Sequence, residues 1–263
     1  MILDLNLSNH VSVHRPKPKL PTSDEDFGYF LAGLVDSNGH FNKIPQLVIS
    51  FHLNDIRVAY FIKSIVGHGR VRIDKNKNVG RYVLTKKAGL VRAARLLSNK
   101  LRHPVKKIQY RERLENNPIL QNGQTKPVNS QLPQQTFDIA AFQDQSVDLP
   151  QLNAYWLAGF IAGDGSFQVK ILCRKYYASG STRTEVRLVM QVDQKEDSLL
   201  KLLQNHVGGH IGFRKSQNTY YYSTVSFVNA AKLIKFLDGA HLVGSKMTQY
   251  VLWRLPSGPG GTW

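Results

Sequence analysis

LAGLVDSNGHF (residues 31–41) and LAGFIAGDGSF (residues 157–167) are two versions of one phrase, 126 positions apart (157 − 31), and their recurrence decides the fold. Three further pairs follow each of them in the same order. VGHGRVR from Val66 answers VGGHIGFR from Val207, AARLL from Ala93 answers AAKLI from Ala230, and Lys106-x-x-Gln109-Tyr110 answers Lys246-x-x-Gln249-Tyr250. Their offsets are 141, 137 and 140 (207 − 66, 230 − 93, 246 − 106), so a whole unit is duplicated. The step from 126 to about 140 places an insertion in the second copy between Phe167 and Val207.

Periodicity gives both copies the same order of elements. Thr22, Ser23, Asp24 and Glu25 supply an N-cap and an acidic first turn, and the apolar run from Phe27 stops at Gly39, which predicts a helix. Leu47, Ile49, Phe51 and Leu53 then alternate with Gln46, Ser50, His52 and Asn54, the period of a half-buried strand. Val58, Phe61, Ile62, Ile65 and Val66 switch to helical spacing. A hairpin through Arg70, Arg72 and Arg81 and a helix through Leu90 and Leu97 complete the unit. In the second copy Leu188, Met190 and Val192 alternate with Arg187, Gln191 and Asp193, and Leu199, Leu202, Leu203 and Val207 form the stripe. Ile211 and Phe213 alternate with Gly212 and Arg214, and Val225 and Phe227 with Tyr222, Thr224 and Ser226.

The fold class is therefore α+β: two pseudo-symmetric αββαββα repeats forming a saddle of antiparallel sheets, with the two motif helices packed at the centre. The chain divides into a basic N-terminal arm (residues 1–21), a first repeat (22–114), a Gln-, Asn- and Pro-rich linker (115–150), a second repeat (151–255) and a tail (256–263). Gly33 and Gly159 stand at the same place in the two motif helices. Gly inside a helix costs about 0.5–1 kcal/mol relative to Ala, so its repetition points to close backbone packing between the helices.

The 35 Lys and Arg residues against 18 Asp and Glu leave a net charge of +17, which favours a polyanion as partner; ribosomal, chromatin and membrane-surface proteins share this feature. A single cysteine, Cys173, excludes an intrachain disulfide and a cysteine zinc cage. His206 and His210 are separated by Gly208 and Gly209, so they read as turn or nucleic-acid-facing residues rather than a helical metal pair. No apolar run approaches the length of a bilayer span, and the first twenty residues lack a signal core.

Gly163-Asp164-Gly165 closes the second motif helix and Ser37-Asn38-Gly39 the first. A carboxylate at the negative end of a helix dipole is unfavourable unless a cation is bound there. Carbonyls released at the two ends, those of Ala162 and Ser37 among them, would complete an oxygen-rich shell that suits Mg²⁺, with Ca²⁺ or Mn²⁺ able to occupy the same donors. The bland alternative for either end alone is an Asp-Gly turn.

With these residues in place, LAGLVDSNG and LAGFIAGDG resemble the paired motif helices of the LAGLIDADG homing endonucleases, in the single-chain, two-motif form of fungal organellar introns. The resemblance implies a monomeric, metal-dependent nuclease that hydrolyses both strands of a long, nearly asymmetric DNA duplex and leaves short 3′ overhangs. It implies that Asn38 and Asp164 face the scissile phosphates and bind metal. Lys106 and Lys246 then correspond to the family's basic residues at the phosphate, with Lys107 a rival to Lys106. Gln194 corresponds to a polar residue that positions solvent, with Asp55 in the equivalent place of the first copy. The family has an acid where this chain has Asn38, so cleavage on that side is expected to be weakened, and Asp36 is out of register for the role. The alternative is a noncatalytic DNA-binding relic or an intron RNA maturase. Mitochondrial origin follows from family habit.

A β-ribbon fits the major groove, so the outward strand residues are the expected DNA readers. These are Gln46, Ser50, His52, Arg70, Arg72 and Arg81 in the first copy and Arg187, Gln191, Arg214, Tyr222 and Thr224 in the second. Lys170, Arg174, Lys175 and Arg183 lie in the inserted connection and extend the expected reach along the duplex.

Overall fold

The structure is a computed structural model of the 263-residue chain and describes residues 19–121, 152–175 and 182–255. The arm through residue 18, the linker from residue 122, the segment 176–181 and the tail 256–263 lie outside the described residues.

The first repeat runs α1 (Asp24–Asn38), β1 (Gly39–Asn42), β2 (Gln46–His52), α2 (Ile56–Val66), β3 (Arg70–Asp74), β4 (Val79–Leu84) and α3 (Lys87–Leu97). An eighth element, α4 (Pro104–Tyr110), follows and carries Lys106; a short helix α5 (Pro118–Gln121) lies where the linker was expected to begin. The second repeat matches it with α6 (Ala154–Asp164), β5 (Gly165–Lys175), β6 (Thr182–Gln194), α7 (Ser198–Val207), β7 (His210–Arg214), β8 (Thr219–Ser223), α8 (Phe227–Gly239) and α9 (Ser245–Arg254). Each repeat forms one four-stranded antiparallel sheet, in the orders β1-β2-β4-β3 and β5-β6-β8-β7. The insertion lengthens one hairpin: β5 and β6 have 11 and 13 residues where β1 and β2 have 4 and 7.

Local chemistry starts both motif helices. The Ser23 hydroxyl accepts from the Asp26 amide at 3.1 Å, and the Asn153 side chain accepts from the Tyr155 and Trp156 amides at 2.9 and 3.1 Å. Both helices then run straight into a strand, because Gly39 and Gly165 are extended (φ −89° and −72°) rather than turned. The helices α1 and α6 are apolar nearly all round because they pack on each other as well as on the sheets. A Cβ on Gly33 would lie 2.0 Å from the Trp156 carbonyl oxygen, and one on Gly159 would lie 2.0 Å from that of Phe30. The repeated glycines thus set the backbone separation at the seam between the halves.

That seam is closed by Asp36, which is fully buried and accepts from the Trp156 indole N–H at 2.8 Å across the halves. The same carboxyl accepts from the Arg102 and His103 amides at 2.8 and 3.2 Å, fixing the segment that leads into α4. Burial pushes its pKa up to about 6 against the pull of these hydrogen bonds. Among the described residues no helix is long and apolar enough to cross a membrane.

Candidate functional site

The ends of α1 and α6 meet. A Cβ on Gly163, the residue before Asp164, would lie 2.0 Å from the Ser37 hydroxyl and 3.3 Å from the Asn38 side-chain nitrogen, so the C-terminal turns of the two motif helices adjoin. Asp164 is largely enclosed there, and burial raises its carboxyl to about 6; Gln194, Lys246 and Lys106 act in the opposite direction, and Asp193 adds to the rise. The Gln194 amide donates to the Asp164 carboxyl. Lys106, from the first half, donates to the Gly39 carbonyl, and burial lowers its pKa against the pull of Asp36 and Asp164. Both Lys106 and Lys246 therefore lie within electrostatic reach of Asp164, while Lys107 is drawn by Asp36 and repelled by Arg102 and Arg111.

An enclosed carboxyl at a helix C-terminus between two ammonium groups, above a surface of the same sign, is a place where phosphate and a divalent cation neutralise each other's neighbours. Among the described residues no three His, Cys, Asp or Glu side chains cluster. The donors at the seam are one carboxylate, the Asn38 amide oxygen and main-chain carbonyls, a set that fits Mg²⁺, which keeps several of its waters. Ala162 can contribute only its carbonyl, and the Ser37 hydroxyl donates its proton to Leu34 O at 3.0 Å.

Several sequence expectations need correction. Asp55 is not the counterpart of Gln194. Gly39 pairs with Ile49 as Gly165 pairs with Val192, and Ile49 pairs with Tyr82 as Val192 pairs with Tyr222, so the residue two further along is Phe51 in one half and Gln194 in the other. Phe51 is buried in the core, whereas Asp55 is buried elsewhere and accepts from the Ser245 amide at 2.7 Å at the start of α9. Tyr222 and Thr224 do not face outward. The Tyr222 hydroxyl donates to Gly208 O at 2.7 Å from the core, as that of Tyr82 does to His68 O in the first half. The Thr224 hydroxyl donates to Leu188 O and accepts from the Met190 amide. The alternation expected in β8 is one residue out of phase with the observed one, because a tyrosine suits either face. Val225 and Phe227 leave the strand altogether: Ser226 caps α8, accepting from the Asn229 amide at 3.2 Å, and both apolar side chains are exposed.

The other strand candidates do share a face. Ser50, Arg81 and Arg72 lie in one cross-strand row, with Arg70 one row away and His52 and Gln46 on the same side. Gln46 accepts from the Asn42 amide at 2.5 Å, and the His52 ring meets the Asn78 amide at 2.7 Å. His40, which periodicity does not single out, is on this face too; burial first, then Lys106, Arg81 and Arg113, lowers its pKa. In the second sheet Lys170 pairs with Arg187, and Gln191 and Arg214 share their face with Tyr221, which sequence reasoning passed over for its neighbour. Arg214 is joined to Asp193 at 2.6 Å and lies 4.7 Å from the Tyr221 ring centre, Gln191 donates to Asp193 at 3.0 Å, and Arg187 is joined to Glu185 at 2.7 Å. Arg174 and Arg183 are register partners further along the β5–β6 hairpin, whose next pair includes Lys175. His206 is helical rather than in a turn, its ring 2.9 Å from Leu202 O, and His210 opens β7.

Residues 157–255 match the family model described as LAGLIDADG endonuclease. A cox1 intron-2 protein of 37.2 kDa from Schizosaccharomyces pombe is 40% identical over 244 residues, covering 93% of this chain and 69% of that protein. The chain belongs to the LAGLIDADG endonuclease family. The intron-encoded RNA maturase bI4 of Saccharomyces cerevisiae is 24% identical over 84% of the chain, which spans 30% of that relative's length. The LAGLIDADG meganuclease I-AabMI, solved bound to uncleaved DNA, shares the fold with a TM-score of 0.60 at 20% identity, over 88% of this chain and 90% of that one. The α+β architecture of paired helices between two four-stranded sheets is thus that of the LAGLIDADG meganucleases.

Proposed function

We propose that this LAGLIDADG protein is a monomeric, site-specific endonuclease that hydrolyses phosphodiesters of a long, nearly asymmetric DNA duplex, with one competent half and one weakened half. The observation that carries the reading is Asp164, held at the seam by Gln194 between Lys106 and Lys246 and adjoining Asn38. Mg²⁺, held by Asp164 with the Asn38 amide oxygen and the carbonyls of Ala162 and Ser37, would supply the Lewis acid that makes water a nucleophile at neutral pH. Lys106 and Lys246 offset charge that develops on the phosphate, and Gln194 orients Asp164 while its remaining polar atoms order solvent. The products are a 3′-hydroxyl and a 5′-phosphate on each strand, with short 3′ overhangs where both strands are cut. The outer faces of the two sheets hold the duplex, through Gln46, Ser50, His52, Arg70, Arg72 and Arg81 on one and Lys170, Arg174, Arg187, Gln191 and Arg214 on the other. Mitochondrial origin is in keeping with the cox1 intron origin of its relative.

The first half lacks the carboxylate and the amide that the second has, since Asn38 replaces the acid and Phe51 stands where Gln194 does. The expected activity is therefore nicking of one strand well ahead of the other. Supercoiled plasmid carrying the intronless target region and incubated with Mg²⁺ tests this: accumulation of nicked circles before linear product supports it, and equal cutting of both strands overturns it. The same two substitutions favour a second reading, a noncatalytic DNA-binding relic or an intron RNA maturase, which predicts tight binding of nucleic acid with no cut in either strand.

A further inference from the structure

A second basic site lies away from the strand faces. Between the halves, Tyr29 of α1, Arg102 just before α4, Lys107 within it, and Ser198 and Asn205 of α7 line a cleft of about 490 Å³ that also takes in Lys100. Tyr29 is nine residues before Asn38, so the cleft reaches ~14 Å along α1 from the motif end. Among the described residues no carboxylate lines it. The nearby Asp36 is buried and spent on Arg102 N, His103 N and Trp156, and Asp197 is paired with Lys201 at 2.9 Å. The ammonium of Lys100 lies 5.3 Å from the Tyr29 ring centre, and the Ser198 hydroxyl is buried without a hydrogen-bond partner among the described residues. Burial lowers the Lys107 pKa, and repulsion by Arg102 and Arg111 lowers it further against the pull of Asp36.

The duplication supplies a control that shows the fold does not need these cations. The Tyr110 hydroxyl lies 2.9 Å from Ala94 O and that of Tyr250, which donates to Asp238, 3.4 Å from Ile234 O, so this part of the two halves superposes with an offset of 140. At that offset Lys100, Arg102 and Lys107 correspond to Ala240, Leu242 and Met247, of which Ala240 and Leu242 are buried core. One half closes the position with apolar side chains, and the other opens it and lines it with positive charge.

We infer that this cleft binds a phosphate group of single-stranded nucleic acid, independently of the duplex held by the strand faces. The walls combine clustered cations, a hydroxyl able to donate to a phosphate oxygen, an aromatic ring for a base and the Asn205 amide, which is how single strands are held without a duplex groove. The space suits a nucleotide and is too narrow for a double helix. An acidic peptide would use the cations but not the ring.

The test measures binding of short fluorescein-labelled oligouridylate and oligothymidylate by anisotropy, in excess unlabelled duplex of mixed sequence that fills the strand faces. The double variant Lys100→Ala, Lys107→Met introduces residues the other half already carries. It is expected to weaken binding about tenfold and to flatten the log-affinity against log-salt slope by about 0.7, the value for one phosphate no longer neutralised on a single strand. Asn205→Lys, on the exposed side of α7, is expected to tighten binding, and Arg72→Ala with Arg81→Ala to leave it unchanged. Unchanged binding in the Lys100/Lys107 variant, an equal loss in the Arg72/Arg81 variant, or better displacement by polyglutamate than by oligonucleotide would overturn the inference.

Discussion

The ends of α1 and α6 occupy equivalent positions on either side of one seam, and they differ in kind. Around α6, a carboxyl, an amide and two lysines interact; around α1, the acid's place is taken by Asn38 and the amide's by a core phenylalanine. The seam between them is symmetric to within the backbone, with Gly33 and Gly159 each leaving no room for a methyl group. Packing and chemistry have therefore drifted apart. The duplicated scaffold needs both halves to keep the two helices in contact, whereas a cation needs only one carboxylate to be held, more weakly, at their junction.

The largest test of that contrast is Asp164→Asn, which leaves both helix ends without a carboxylate. Cleavage with Mg²⁺ is expected to fall by ~10³-fold or more, in line with loss of a group that stabilises transition-state charge, and plasmid nicking rates measure it. If the variant cuts as fast as the parent, the metal site has been placed on the wrong residues.

Next in size, Gly33→Ala and Gly159→Ala should each destabilise the fold by about 2–4 kcal/mol, because the added methyl meets main-chain atoms that cannot step aside. Similar shifts of the urea midpoint in both variants would confirm a symmetric seam. A large gap between them would break it.

Asp164 also links the site to pH. Its folded pKa, about 6, lies above the 3.8 of the unfolded chain, so its contribution to stability is complete below 3.8 and is lost as pH rises through 6. At pH 8 the ionised group costs folding about 2–3 kcal/mol, since each tenfold gain in proton affinity on folding is worth ~1.4 kcal/mol. The substitution that abolishes cutting, Asp164→Asn, should therefore raise the melting temperature at pH 8 and do so less at pH 5. Cleavage should run the other way, falling as pH drops and protons compete with Mg²⁺ for the carboxyl.

The smallest expected effect is restoration of the weak half. Asn38→Asp should raise second-strand cutting roughly tenfold, read as the ratio of linear to nicked plasmid. Phe51→Gln should add to it only in that background, since an amide has no carboxyl to orient beside Asn38. Removing Phe51 also opens the core, so the gain is to be read at a temperature well below the melting point.

Much of this was legible in the chain. The repeat, the helix that begins at Ser23, the close approach at Gly33 and Gly159 and the place of Asp164 at a helix end follow from residue spacing and capping. The outward rows through Ser50, Arg72 and Arg81 follow from a period of two. Failures cluster where a side chain suits either side of a boundary. Tyr222 carries a hydroxyl that can be wet or can bond a core carbonyl, and Thr224 bonds two main-chain groups that nothing local announces. Asp36 is out of register for the metal, yet it ties Trp156 to the segment that delivers Lys106, a role that no local pattern signals.

The sequence by itself determined that there are two copies, where each helix and most strands lie, and which helix end bears the acid, because caps, glycines and hydrophobic periods act over a few residues. Only the tertiary structure decided that Phe51 stands in the place of Gln194, that Tyr221 rather than Tyr222 shares the outer face with Arg214, and that Lys100, Arg102 and Lys107 gather at one cleft. Those facts depend on strand register and on packing between segments far apart in the chain, where one residue of slip in a strand exchanges core for surface.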